Sequence, residues 1–141
     1  MKLFIDTNVV VDLIAKREPF ENDSRLVINL CEKGIVTGLI STLTICTLSY
    51  IMRKFIAQEK LRQSLRDLRN ILKPVELSVP IIDKAIDSPM RDFEDAVQFY
   101  TAVYSQADYI ITRNLKHFPQ NDIPILTPTA FLEMEENQQL F

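Results

Sequence analysis

Three short stretches place oxygen-bearing side chains where chemistry is expected. Asp6-Thr-Asn8 follows the apolar run Leu3-Phe-Ile5. Asp92-Phe-Glu-Asp95 opens a strongly amphipathic segment, and Thr112-Arg-Asn114 follows Tyr109-Ile-Ile111. At about 100° per helical residue, Asp92 and Asp95 lie one turn apart on one flank of the apolar stripe, and Glu94 projects to the opposite, solvated side. Carboxylates brought together raise each other's pKa unless a cation neutralises them. A cluster without a neighbouring lysine therefore points to a hard divalent ion, Mg²⁺ or Mn²⁺. Such an ion is suited to phosphodiester hydrolysis. The structural alternatives are that Asp92 is an N-cap, that Asp95 answers the helix dipole, and that Asn114 is a turn residue.

The elements that must position these groups follow from periodicity. Lys2-Leu-Phe-Ile-Asp6 reads as a buried strand, and Val9 to Ile14 as a helix start with Thr7 or Asn8 as its cap. Leu26, Val27, Leu30 and Cys31 form a helical stripe, closed by Gly34. Gly38 to Ser41 reads as a second strand, and Thr42 or Thr44 opens a helix through Ile56. Leu61, Leu65, Leu68 and Leu72 mark a further helix, stopped by Pro74, and Val75 to Val79 is expected to be a strand. A short helix from Pro80 to Ser88 precedes the strong helix Asp92 to Gln106. Tyr109 to Thr112 and Pro124 to Thr127 read as strands, and Thr129 as the cap of a final helix. Alternating strands and helices predict a three-layer α/β/α sandwich with a mainly parallel central sheet. Ligands of such sheets bind beyond the C-terminal ends of the strands, where all three polar stretches fall or begin nearby.

Composition narrows the class. At 141 residues, 47% hydrophobic and 25% charged, residues 1–141 are expected to form a single folded domain. Only two glycines are present and neither common phosphate-binding glycine motif occurs. A net charge of −3 excludes nucleic-acid binding by blanket electrostatics, so such contact must be local or metal-assisted. Cys31 and Cys46 are expected to be buried reduced thiols. No bilayer-spanning run and no signal peptide are read, so the expectation is a cytoplasmic protein without a membrane partner.

Four stretches then carry a family resemblance. Phe4-Ile-Asp-Thr-Asn-Val-Val-Val-Asp-Leu13 resembles the opening motif of PIN domains, the fold of many toxin-type (VapC-like) ribonucleases. Asp92-Phe-Glu-Asp-Ala-Val97 resembles the family's later acidic helix start, and Tyr109 to Phe118 its terminal strand and turn. Pro124 to Pro128 matches the short strand that follows. The resemblance runs in order along essentially the whole chain. It implies Mg²⁺- or Mn²⁺-dependent cleavage of RNA, a small inhibitory antitoxin as partner, and a homodimer. Asp6 matches the first metal-binding acid and Asp95 the central one, with Asp92 an additional acid a turn before it. Asn114 stands where members carry Asp or Asn, and Asn8 and Thr112 match residues that brace the site.

One departure stands out. Many members carry Glu in the helix after the second strand, where this chain has Thr47. With Asn114 also neutral, two usual acids are missing, which leaves room for a catalytically weakened module that binds RNA or protein. A haloacid-dehalogenase-type phosphatase would need a second Asp where Asn8 stands.

Among the remaining signals, Arg113 is expected inside the site, within reach of a phosphate. Arg62, Arg66, Arg69 and Lys73 read as a solvated helix face, with RNA phosphates as the alternative partner. His117 reads as a surface-loop residue, with a general-base role as the alternative, and Tyr50, Phe55 and Phe99 as core, with base stacking as the alternative.

Overall fold

The structure, a computed structural model, describes residues 1–120 and 122–138. Its elements run β1 (Lys2–Ile5), α1 (Thr7–Ile14), α2 (Glu21–Glu32), β2 (Thr37–Ser41), α3 (Thr42–Met52), α4 (Gln58–Ile71), β3 (Lys73–Val75), α5 (Val79–Ile86), α6 (Phe93–Tyr104), β4 (Tyr109–Ile111), β5 (Ile125–Leu126) and α7 (Pro128–Gln138). The five strands form one sheet in the order β3-β2-β1-β4-β5, every neighbouring pair parallel.

Strand alternation divides the core. Leu3, Ile5, Ile40 and Ile111 turn to the face covered by α1, α2, α4 and α7, where they meet Val9, Val10, Val27, Leu68 and Phe131. Phe4, Leu39, Ile110 and Ile125 turn to the other face and pack on Phe99 and Ala102 of α6. Behind α6, Ala96 and Val97 pack on Ile81 and Ala85 of α5. Both faces are thus sealed, as a parallel sheet requires, and the three layers are α/β/α. The register keeps this division: Phe4 is paired with both Leu39 and Ile110, and Ile5 with Ile111.

Gly38 is a packing requirement of β2. A Cβ there would lie 2.4 Å from Leu72 Cδ2 and 2.7 Å from Cys31 Sγ, so α2 and the end of α4 close onto the sheet only over a residue without a side chain. Gly34, just beyond α2, has φ +74° and ends that helix as anticipated.

Several local expectations are corrected. The third strand is Lys73–Val75, not Val75 to Val79. It is the sheet edge, where Pro74 is tolerated because its missing N–H need not serve a ladder. Asp6, rather than Thr7 or Asn8, is the N-cap of α1, and Ser41, rather than Thr42 or Thr44, is that of α3. Thr127, not Thr129, accepts from the Ala130 N–H at 3.0 Å at the start of α7. Cys46 is exposed, whereas Cys31 is buried and its thiol is pushed up to about 12 by that burial. Phe99 is core, but Tyr50 and Phe55 are 67% and 78% exposed. Among the described residues, no helix is long and apolar enough to cross a membrane.

Candidate functional site

The strand order reverses at β1: the chain first builds outward through β2 and β3, then returns to add β4 and β5 on the other side. The crevice at such a switch point is the usual ligand position of a parallel sheet. Asp6 leaves β1 there and Thr112 leaves β4 beside it, with Asp6 N donating to Ile111 O at 3.0 Å.

Asp6 is 7% exposed. Its Oδ1 accepts from Thr7 N at 2.8 Å and from Gln98 Nε2 at 3.4 Å. Its Oδ2 accepts from Thr112 Oγ1 at 2.8 Å. All three donors are neutral. Burial raises the carboxyl above its usual range, against the lowering pull of Thr112, Thr7, Gln98 and the charge of His117.

Thr112 is itself held in place. Its Oγ1 accepts from Asn8 Nδ2 at 3.2 Å and from Asn114 N at 3.1 Å, which directs its single proton to Asp6. Asn8 Oδ1 in turn accepts from Arg113 N at 3.2 Å. Below Asp6, Gln98 Nε2 also reaches Thr7 Oγ1 at 3.1 Å and Thr44 Oγ1 at 2.8 Å. Gln98 is buried, and among the described residues its Oε1 has no hydrogen-bond partner.

The opposite wall is the start of α6. Asp92 is its N-cap, with Oδ1 accepting from Asp95 N at 2.9 Å. One turn on, Asp95 Oδ2 lies 3.3 Å from His117 Nδ1. The Asp95 carboxyl is pushed up to about 6, first by burial, then by the charges of Asp92 and Asp6, with a smaller push from Glu94 opposed by His117. Asp6, Asn8, Thr47, Asp92, Asp95 and Asn114 line one cleft of about 360 Å³. The structure therefore brings together all but two of the site residues expected from sequence. Thr112 lies just behind Asp6, fully buried.

Arg113 is the exception and is corrected. Its guanidinium turns away from the cleft to grip Asp12 of α1, Nε to Oδ2 at 2.6 Å and a terminal nitrogen to Oδ1 at 3.1 Å. It also stacks 4.2 Å above the Phe20 ring. Asp12 is fully buried, so the cation is committed to it and not to a phosphate.

Other residues of the cleft were not read as such. Glu94 is exposed, as expected, but it lines the cleft and accepts from Thr47 Oγ1 at 3.4 Å. A carboxylate from α6 thus stands where Thr47 supplies only a hydroxyl. His117 faces Asp95, brought there by the 3₁₀ turn Leu115–His117. Gln98 was detectable in principle: it is one turn after Asp95, a polar residue in an apolar stripe. Arg17 also lines the cleft and carries no local signal.

The donor chemistry fits a hard divalent cation. Beside Arg17 and His117 the cleft presents oxygen donors, among the described residues Asp6 and Asp95 have no lysine or arginine ion pair, and a cation would relieve what raises their carboxyls: burial at Asp6, burial and repulsion at Asp95. Among the described residues, no three His, Cys, Asp or Glu side chains stand together as a ready-made ligand set for one ion. Two carboxylates with water completing the shell is the usual arrangement for Mg²⁺.

Comparison with known proteins agrees with this architecture. Residues 2–116 match the family model described as PIN domain, and the chain belongs to the PIN domain family. It is 29% identical over 137 residues to Ribonuclease VapC1 of Aquifex aeolicus (strain VF5), covering 94% of each chain. Among solved structures it is similar to a chain of VapBC-1 from nontypeable Haemophilus influenzae, with TM-score 0.67, 19% identity, and 92% of this chain and 99% of that one covered. It is also similar to a chain of a toxin–antitoxin complex from Klebsiella pneumoniae, with TM-score 0.67, 20% identity, and coverage of 89% and 97%.

Proposed function

We propose that this chain is a divalent-cation-dependent endoribonuclease and the toxin half of a toxin–antitoxin pair. The observation that carries the reading is Asp6: a buried carboxylate at the switch point of a PIN-family sheet, oriented by three neutral donors and left without a cation of its own. Asp6 and Asp95 would hold Mg²⁺ or Mn²⁺, with Asp92 engaging through water because its Oδ1 caps α6. When bound, such an ion polarises a phosphate oxygen and lowers the pKa of a bound water. The protein's own contribution is positioning. Thr112 fixes one oxygen of Asp6, and Asn8 and the Asn114 N–H fix Thr112. His117 orients Asp95. Glu94, steadied by Thr47, adds a carboxylate at the rim that can receive a proton.

The VapBC complexes among the structural relatives support an antitoxin as partner. RNA as substrate follows from the ribonuclease relative. A homodimer acting in the cytoplasm completes the proposal.

Purified chain is expected to cut RNA with Mg²⁺ or Mn²⁺ and to stop cutting with Asp6→Asn. Equal cleavage by that variant would sink the reading. The alternative, a weakened module that binds without cutting, is favoured by neutral Thr47 and Asn114. Calorimetry separates the two: tight Mn²⁺ binding that depends on Asp6 counts against it.

A further inference from the structure

Beside the acidic cleft lies a second, larger cavity of about 780 Å³. It is formed by Pro89 to Asp92, before α6, and Lys116 to Pro119, after β4. The two depressions share Asp92, Asp95 and His117, so they are continuous. Their chemistry differs. The acidic cleft sets the carboxylates of Asp6, Asp92, Glu94 and Asp95 against one arginine, Arg17, while the second cavity adds Arg91 and Lys116, both exposed and neither in an ion pair with a described residue. Its remaining wall includes the half-buried Met90 over the buried Phe118, between two prolines whose fixed φ limits movement of both loops.

From this juxtaposition we infer that the second cavity is a nucleotide subsite, holding the RNA residue next to the phosphate at Asp6 and Asp95. The inference rests on the ribonuclease reading and adds to it the path of the strand. A nucleotide joins an anion to a flat apolar body. Arg91 and Lys116 answer the first, and the half-buried Met90 answers the second. The volume falls within the range of about 300–1,000 Å³ usual for small-ligand sites. In a chain of net charge −3, two free cations beside the acidic groups also solve the problem of attracting RNA there at all. The residue types do not favour a protein segment as occupant: the cavity offers no exposed strand edge or apolar helix groove.

The test is fluorescence anisotropy of a labelled short single-stranded RNA on Asp6→Asn protein, which separates binding from cutting. Arg91→Glu with Lys116→Glu is expected to weaken binding about tenfold or more and to lower the salt slope by about 1.4, roughly 0.7 per cation on a single strand. Arg62→Glu with Arg66→Glu makes the same change in net charge on α4 and is expected to leave affinity within about twofold. Equal losses from the two pairs overturn the subsite in favour of bulk charge. Met90→Trp fills the cavity without changing charge and is expected to weaken binding as well; unchanged binding by a folded Met90→Trp protein overturns the inference. An acidic peptide of matched charge that binds as tightly as RNA also overturns it. Wild-type cleavage with Mg²⁺ or Mn²⁺ is measured in parallel. Cleavage whose KM is untouched by the Arg91 and Lys116 changes sinks the subsite alone. Absent cleavage with intact, Arg91-dependent RNA binding sinks the nuclease reading alone.

Discussion

Asp6 and Asp12 stand at the two ends of α1, both buried, and the protein treats their charges in opposite ways. Asp12 receives a guanidinium: Arg113 meets both its oxygens and is itself stacked on Phe20. Asp6 accepts hydrogen bonds from neutral donors, Thr112, Thr7 and Gln98. Both halves of the contrast depend on Thr112 and Arg113, adjacent residues just past β4 that point to different aspartates. A buried carboxylate with a bidentate cation is a finished interaction, and it locks the turn after β4 to the first helix. A buried carboxylate with neutral donors alone keeps its charge uncompensated. Near Asp95 and Asp92 it becomes a place where an external cation is favoured.

That contrast can be broken, and the largest effect is expected at Asp6. Asp6→Asn preserves the capping oxygen and the volume, so the fold should persist while RNA cleavage with Mn²⁺ falls by at least about 10²–10³-fold. A single-turnover assay alongside a circular dichroism melt checks both halves. At the other aspartate the pattern should reverse. Arg113→Ala leaves Asp12 buried and unpaired, so stability should drop by about 3 kcal/mol or more, read from urea unfolding. Cleavage by the fraction that remains folded should change little. Loss of activity without loss of stability would mean that Arg113 leaves Asp12 to meet substrate.

Thr112→Val probes the wiring between the two. It removes the donor to Asp6 Oδ2 and should weaken Mn²⁺ binding by about 10–100-fold, measured by calorimetry. Thr112→Ser should restore most of it. The smallest effect is expected from pH. The Asp95 carboxyl lies near 6 in the folded protein against an ordinary 3.8. A raised pKa means that the folded state prefers the protonated form. The corresponding stabilisation is present below about pH 4 and is lost as pH rises through about 6. In metal-free protein, Asp95→Asn should flatten this part of the stability profile, and saturating Mn²⁺ should do the same for the unaltered chain. A melting-temperature difference between the two proteins that stays constant from about pH 4 to about pH 7 would contradict the assignment.

The contrast also shows how far residue patterns could lead. Short unbroken apolar runs in Leu3-Phe-Ile5 and Tyr109-Ile-Ile111 marked two strands of the sheet, because such strands are covered on both faces. An aspartate ending such a strand had to sit at the ligand edge, whatever else surrounded it. Asp95 followed from helical angle, since α6 shows one apolar side to the sheet. The strand at Lys73–Val75 was misplaced because proline suppresses strand expectation everywhere except at an edge, and edge position is a property of the assembled sheet. Tyr50 and Phe55 were misread because an aromatic residue is buried only if another element covers it, and no described element covers these two.

What sequence alone determined was therefore local and periodic: the layered architecture, the strand-end position of Asp6, and the one-turn pairing of Asp92 with Asp95. Those follow from backbone geometry, which acts over a few residues. What only the tertiary structure decided was the partner of each charge. Arg113 could equally have faced the cleft, and Asp12 looked like any helix residue. His117, Gln98 and Glu94 reach Asp95, Asp6 and Thr47 across separations that no short-range pattern encodes. Electrostatic pairing depends on distance in space and on burial, and both are set only when the layers close.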